Sequence, residues 1–520
     1  VEQRYLERRY FLSATLAAAG LAVFAPRALA AAMDAAMDAA MDDEHAGHDM
    51  SGHDMGGAAA KPAAAGLPTA PDGLALLPVS AWPAGAALRA LPLLTNTAAA
   101  GSFAATLGAA PARPALVQGK VTEVWAYNGT SPGPLIEARE GDTVEIRFRN
   151  GLPQPTTVHW HGLPVPADQD GGPHTPVAPG AERIYRFVLP KGCAGTYWYH
   201  PHPHDHTPEQ IFRGLAGAFI VRAADDPLAG IPEQHLFISD LKLAADASIP
   251  LNGADDWMDG REGQFVLING QREPRISVAG TQRWRIWNAC SARYLRISLA
   301  GGHMHQVGTD GGLLEAPLAI DELLLAPAER AELIVSGTGE GKLMALRYDR
   351  QKMGAAPAEA DRLLASVSFT AGKAVALPKS LRRIADLGKP QASKRVVFSE
   401  TMSMAGGKHQ MAFLINGKAF DMHRADWQSR RGEVELWELV NDSHMDHPCH
   451  LHGTQFQVVE RVRGGKAVRE PFRAWRDTVN LRPGETVRVK LRFAHAGLYM
   501  AHCHVIEHEA QGMMALVKVV

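Results

Sequence analysis

Apolar and polar residues alternate one by one over short stretches of this chain. Three examples are Thr143-Val144-Glu145-Ile146-Arg147-Phe148, Arg283-Trp284-Arg285-Ile286-Trp287 and Thr486-Val487-Arg488-Val489-Lys490-Leu491-Arg492-Phe493. Successive side chains of an extended chain point to opposite faces, so a period of two predicts strands with one buried face. Gly and Pro, 50 and 34 in number, punctuate these stretches, and few amphipathic helical patterns come between them. Short strands at this spacing predict antiparallel β-sandwiches. An internal echo supports repetition: Glu140-Gly141-Asp142-Thr143, Ala178-Pro179-Gly180-Ala181-Glu182 and Arg482-Pro483-Gly484-Glu485-Thr486 each introduce a strand.

A length of 520 residues predicts about three domains, at roughly 150 residues each. Charges nearly cancel, with 53 basic against 55 acidic residues, and no basic patch points to nucleic acid as a partner. Four cysteines are too few for a disulfide scaffold. Of these, Cys193 and Cys290 could bridge in an oxidising compartment, and Cys449 reads as a small buried packing residue.

The N-terminus reads as an address. Arg8-Arg9-Tyr10-Phe11-Leu12 precedes an apolar run from Leu16 to Phe24 and then Ala28-Leu29-Ala30, a small-residue cleavage pattern. This is similar to a twin-arginine export signal spanning residues 1–30, which implies the twin-arginine machinery as a partner and a periplasmic protein. The run is shorter than the ~20 residues of a membrane span, so no stable anchor is expected. Next, Met33, Met37 and Met41 recur every four residues, followed by Gly47-His48-Asp49-Met50 and Gly52-His53-Asp54-Met55. Thioethers suit Cu(I), and imidazole with carboxylate suits Cu(II), so 31–75 reads as a copper-capturing tail followed by an Ala- and Pro-rich linker.

The densest chemistry lies at the C-terminus, in His502-Cys503-His504-Val505-Ile506-Glu507-His508-Glu509-Ala510-Gln511-Gly512-Met513. On a strand His502 and His504 share one face and Cys503 points to the other, so one strand can serve two metal centres. A thiolate, two imidazoles and a long axial thioether are the ligands of a blue, electron-transferring copper. Cys503, His508 and Met513 supply all but one imidazole. His-x-His pairs recur at His159-Trp160-His161-Gly162, His200-Pro201-His202 and His450-Leu451-His452-Gly453, the last just after His447-Pro448. With His502 and His504 these make eight histidines, enough for two three-coordinate coppers and one two-coordinate copper. His447 is left to complete the blue site. His204 and His206 are set aside, because prolines break the strand after the first pair.

These four segments, in this order, resemble the multicopper oxidases. The resemblance implies an all-β chain of three consecutive cupredoxin-like Greek-key sandwiches, placed near 76–226, 227–375 and 390–520, with the middle one a spacer. It implies four copper ions. His447, Cys503, His508 and Met513 would hold the type 1 copper, and His159 and His450 the type 2. His161, His200 and His504 would hold one type 3 ion, and His202, His452 and His502 the other. By the same resemblance Asp170 and Glu509 supply protons for reduction of O2 to water. Asp170-Gly171-Gly172-Pro173, Ile415 to Met422 and Gly512-Met513-Met514 resemble the bacterial copper efflux oxidases, in which Met445 would lie on the substrate side. Cu(I) is then the expected electron donor of a monomeric enzyme, with small phenols or aromatic amines as the laccase alternative and copper sequestration as a third reading. Ser443 departs from that group, standing where an acidic residue is expected, and the methionines of the corresponding region are only Met402, Met404, Met411 and Met422.

Overall fold

The computed structural model of the chain describes residues 73–117, 119–353, 360–405 and 408–520, and strands dominate them. The export segment at 1–30 and the Met- and His-bearing tail fall outside the described residues. Among the described residues no helix is long and apolar enough to cross a membrane.

The alternating stretches form the strands Thr143–Asn150, Gln282–Asn288 and Glu485–Leu491. In the first, Val144, Ile146 and Phe148 are buried while Arg147 and Arg149 face solvent, as the period of two requires. The second is buried on both faces. Its Arg283 and Arg285 are sheltered because Glu332, Glu233 and Asp226 pair with them, which a buried guanidinium requires.

The N-terminal sandwich has two four-stranded sheets. One orders Val124–Tyr127, Ser102–Ala112, Thr143–Asn150 and Glu182–Val188; the other orders Gly133–Arg139, Gly217–Arg222, Gly195–His200 and His159–His161. The C-terminal sandwich is built alike, from a six-stranded and a five-stranded sheet, and each encloses its own apolar core. Pairing is mixed rather than purely antiparallel: Ser102–Ala112 runs parallel to Thr143–Asn150, and Ala392–Ala405 parallel to Glu435–Asn441. A connection that crosses to the opposite sheet and returns lays its strand down in the original direction.

The middle region is one hydrogen-bonded sheet of nine strands around a third core. Its longest strands, Leu295–Thr309 and Arg330–Leu346, pair with each other through register shifts at Ala300/Gly302 and Gln306/Gly308. Such irregularities bend a sheet enough to close over its own core. The echoed turns each hold a glycine at positive φ: Gly141 at 87°, Gly180 at 75° and Gly484 at 69°. In two of them the following acid fastens the turn, as Asp142 accepts from the Arg139 amide at 2.8 Å and Glu485 from the Arg482 amide at 3.0 Å. All four cysteines are buried and free, so Cys193 and Cys290 form no bridge.

Candidate metal centre

Strand pairing brings the histidine pairs together. In the first sandwich His159 lies opposite His200 across an antiparallel pair, and in the third His450 lies opposite His502. The two sandwiches meet with these faces against each other. The His159 ring stacks on His452 at 3.8 Å between centroids, and His161 stacks on His450 at 3.7 Å. All eight imidazoles are buried.

Their orientation follows from their outer hydrogen bonds. Nδ1 of His159 lies 2.8 Å from the Asp170 carbonyl, Nδ1 of His200 2.9 Å from that of Pro201, Nδ1 of His450 2.8 Å from that of Asp477, and Nδ1 of His502 2.8 Å from that of Cys503. A carbonyl only accepts, so each Nδ1 carries the proton and each Nε2 presents a lone pair. Nε2 of His159, His161, His200 and His450, and both ring nitrogens of His504, have no hydrogen-bond partner. Nε2 of His502 lies 3.0 Å from that of His452 and 3.3 Å from that of His202. Burial, reinforced by neighbouring imidazoles, pushes the pKa of His161, His202, His450 and His452 well below the ordinary value. Converging neutral imidazoles with bare lone pairs are costly unless a cation accepts them. Their ligand atoms close into the groups His161–His200–His504, His202–His452–His502 and His159–His450–His452.

A second centre lies on the other face of the same strand. Sγ of Cys503 is 3.4 Å from Nδ1 of His447 and 3.9 Å from Nδ1 of His508, and those two nitrogens are 3.4 Å apart. The centre of such a triangle is about 2 Å from each corner, the length of a bond from a transition metal to imidazole or thiolate. Burial pushes the Cys503 thiol well above its usual pKa, so its thiolate needs a bound cation. Met513 is buried beside it: its amide donates to the His508 carbonyl at 2.9 Å and its carbonyl accepts from the Cys503 amide at 3.0 Å. The outer nitrogens are also held, Nε2 of His447 by Ser443 Oγ at 2.8 Å and Nε2 of His508 by the Met258 carbonyl at 3.1 Å. Phe413 stacks on His508 at 3.9 Å.

Around the histidines stand buried carboxylates. Asp170 Oδ2 is 2.7 Å from His452 Nδ1 and 3.5 Å from His159 Nδ1, and its Oδ1 has no hydrogen-bond partner. Glu509 Oε1 is 3.6 Å from His202 Nε2, and its Oε2 is 3.3 Å from His502 Nδ1, whose proton goes to the Cys503 carbonyl. Burial pushes the Glu509 carboxyl well above its usual pKa. Met445 is fully buried, with its sulfur 3.8 Å from Arg350 Nη1. His204 is part-exposed beside Asp205 and takes no part.

Sequence reasoning missed the middle region's contribution. Arg330 donates to Asp477 Oδ1 at 2.7 Å and to the Thr196 carbonyl at 2.8 Å, and Asp477 lies 3.5 Å from His161 Nδ1. Met258, in the helix Ala254–Asp259, covers His508. The region is therefore a buttress for both centres, beyond the spacer role expected of it.

Profiles of the multicopper oxidase family match residues 111–226 and 392–520. A multicopper oxidase of Staphylococcus aureus is 30% identical over 426 residues, 80% of this chain and 88% of that one. A laccase of Bacillus subtilis is 28% identical over 463 residues, 76% of this chain and 89% of that one. The solved structure of a multicopper oxidase from Campylobacter jejuni, described as a metallo-oxidase, is 45% identical, superposes with a TM-score of 0.84, and is matched over 87% of this chain and 99% of its own. With two histidine-lined centres on opposite faces of one strand and relatives of this extent, the chain belongs to the multicopper oxidase family.

Proposed function

We propose that the protein is an oxidase that takes single electrons from Cu(I) at a type 1 copper and reduces O2 to two waters at a trinuclear cluster. In this reading His447, Cys503, His508 and Met513 would hold the type 1 ion, and His159 and His450 the type 2 ion. His161, His200 and His504 hold one type 3 ion, and His202, His452 and His502 the other. When bound, copper supplies the one-electron chemistry that the amino acids lack.

The chain's own residues do the rest. Cys503 shares its backbone with His502 and His504, which joins the two centres by covalent bonds. Asp170 and the carbonyls of residues 170, 201, 477 and 503 fix the imidazole tautomers. Asp170 Oδ1 and Glu509, both buried beside the histidines, would hand on protons.

The observation that carries the choice of donor is the cover over the type 1 site. Ser443 and the Met258 carbonyl occupy the outer nitrogens of both imidazoles, which leaves no open ring edge for a bulky phenol and favours a small donor. The metallo-oxidase description of the Campylobacter jejuni relative is consistent with this. Export by the twin-arginine route to the periplasm, and copper capture by residues 31–57, complete the reading as a copper-tolerance enzyme, acting as a monomer. The test is O2 uptake by the copper-loaded mature protein, comparing kcat/KM for chelated Cu(I) with that for a methoxyphenol. Preference for Cu(I) is expected; preference for the phenol makes it a laccase.

A further inference from the structure

A further His-x-His pair, His303-Met304-His305, belongs to neither metal centre. It lies in the middle region, on the strand Leu295–Thr309. Met304 points into the third core, so both histidines point the other way, where His303 is exposed and His305 half-buried. The antiparallel register with Gly312–Ile320 sets Met304 opposite Ile320 and His305 opposite Ala319. Ile320 packs on the same core as Met304, whereas Ala319 is exposed on the histidine face.

Carrying that register on by one residue brings Asp321, also exposed, beside His303 on the same face. His303, His305, Ala319 and Asp321 together line one cleft of about 490 Å³. The next acid, Glu322, is taken by Arg296 at 2.8 Å. Among the described residues no hydrogen bond or ion pair engages the side chains of His303, His305 or Asp321. At about 3.3 Å per residue the two imidazoles spring from points about 7 Å apart, and directly opposed side chains from points about 5 Å apart. Two imidazoles and a carboxylate span such distances with bonds of about 2 Å to a shared ion. Their ligand atoms do not converge here as those of the two copper centres do, but exposed side chains change rotamer freely, and the backbone spacing already suits one ion.

We propose that His303, His305 and Asp321 bind a divalent copper ion at the surface of the middle region, with water completing its coordination. Imidazole and carboxylate, with no sulfur among them, select Cu(II) over Cu(I), and nitrogen and oxygen ligands hold copper more tightly than any other divalent first-row metal. Ala319, across from His305, is too small to crowd the ion. The sulfur of Met304 is turned into the core and cannot add a soft ligand. An ion held in an open cleft exchanges with solvent, unlike the buried ions of the other two centres. The site does not depend on which donor the type 1 copper oxidises.

The test is equilibrium dialysis of the copper-loaded mature enzyme against buffered Cu(II), comparing the wild type with H303A/H305A and D321N. The wild type is expected to hold one equivalent of copper more than H303A/H305A, and D321N to hold that equivalent at least about tenfold more weakly. The segment 31–57 is the same in all three proteins, so the difference between them isolates this site. The added ion is expected to give an electron paramagnetic resonance signal split by two imidazole nitrogens, missing from the double variant. Blue absorption and methoxyphenol oxidation are expected to be equal throughout, and D321N, an isosteric change at an exposed position, carries the test if the double variant loses its fold. Equal copper content and equal spectra in wild type and variants overturn the site. Displacement of the added ion by an equal concentration of Zn(II) overturns its assignment to copper.

Discussion

Asp170, in the first sandwich, lies with its Oδ2 2.7 Å from Nδ1 of His452, in the third. One carboxylate thus fixes the tautomer of a histidine 282 residues away in the chain. Replacing it by Ala removes that acceptor, and such outer-shell losses typically cost 10- to 100-fold in metal affinity. D170A is expected to lose copper from the cluster first in a chelator titration and to keep its blue absorption. D170N keeps an acceptor oxygen and is expected to retain copper while reoxidation by O2 slows.

Cys503 lies between His502 and His504 in the chain and so joins both centres through its own backbone. C503S is expected to lose the intense blue absorption and all oxidase activity, with the type 3 copper retained in metal analysis. Retained colour refutes the type 1 assignment.

Glu509 stands by His202 and His502. In single-turnover mixing, E509Q is expected to slow reoxidation by O2 by about tenfold or more and to leave reduction by the donor within about twofold, since a proton role affects only the oxygen half-reaction. Equal reoxidation rates remove the proton role.

Arg330 is buried between Asp477 and Asp310. R330M leaves these carboxylates without their cation, and removing one partner of a buried pair costs about 3–5 kcal/mol. Thermal unfolding of the copper-free protein is expected to shift down by several degrees. R330K restores the charge but not the two-pronged contact and is expected to recover only part of the loss.

Glu329, next to Arg330, has its carboxyl pushed up to about 7 by burial. The native pKa therefore lies above the unfolded one, and the native state holds the extra proton. Its contribution to stability is full below the unfolded pKa of about 4.3 and is lost as pH rises through about 7. E329Q can keep the 2.8 Å hydrogen bond from the Ala326 amide without the charge. The melting temperature of the wild type relative to E329Q is expected to decline across that window and level off above it.

Much of the site was legible because copper ligands cluster in short segments. Two imidazoles at i and i+2, or a cysteine between histidines, keep their meaning wherever the strand lies. The alternating stretches likewise announced strands at 143, 283 and 486. What escaped was relational. Arg330 and Asp477 are 147 residues apart and look like ordinary surface charges until the fold joins them. The acceptor of the His508 Nε2 proton is a main-chain carbonyl, which has no signature in the identity of Met258. Burial of Gln282–Asn288 on both faces depends on Glu233 and Glu332 from other strands, so alternation with arginine misread it as half-exposed.

The ligands are also divided unequally between the sandwiches. Every group of nitrogens in the cluster draws on both ends of the chain, from residues 159–202 and 450–504, whereas His447, Cys503 and His508 all belong to the last sandwich. A chain in which only that sandwich has formed could gain colour without gaining any capacity to consume oxygen. Contacts so distant in sequence close long loops at an entropic cost. On the proposed assignment, oxygen consumption, and not colour, reports that the whole chain has reached its native topology.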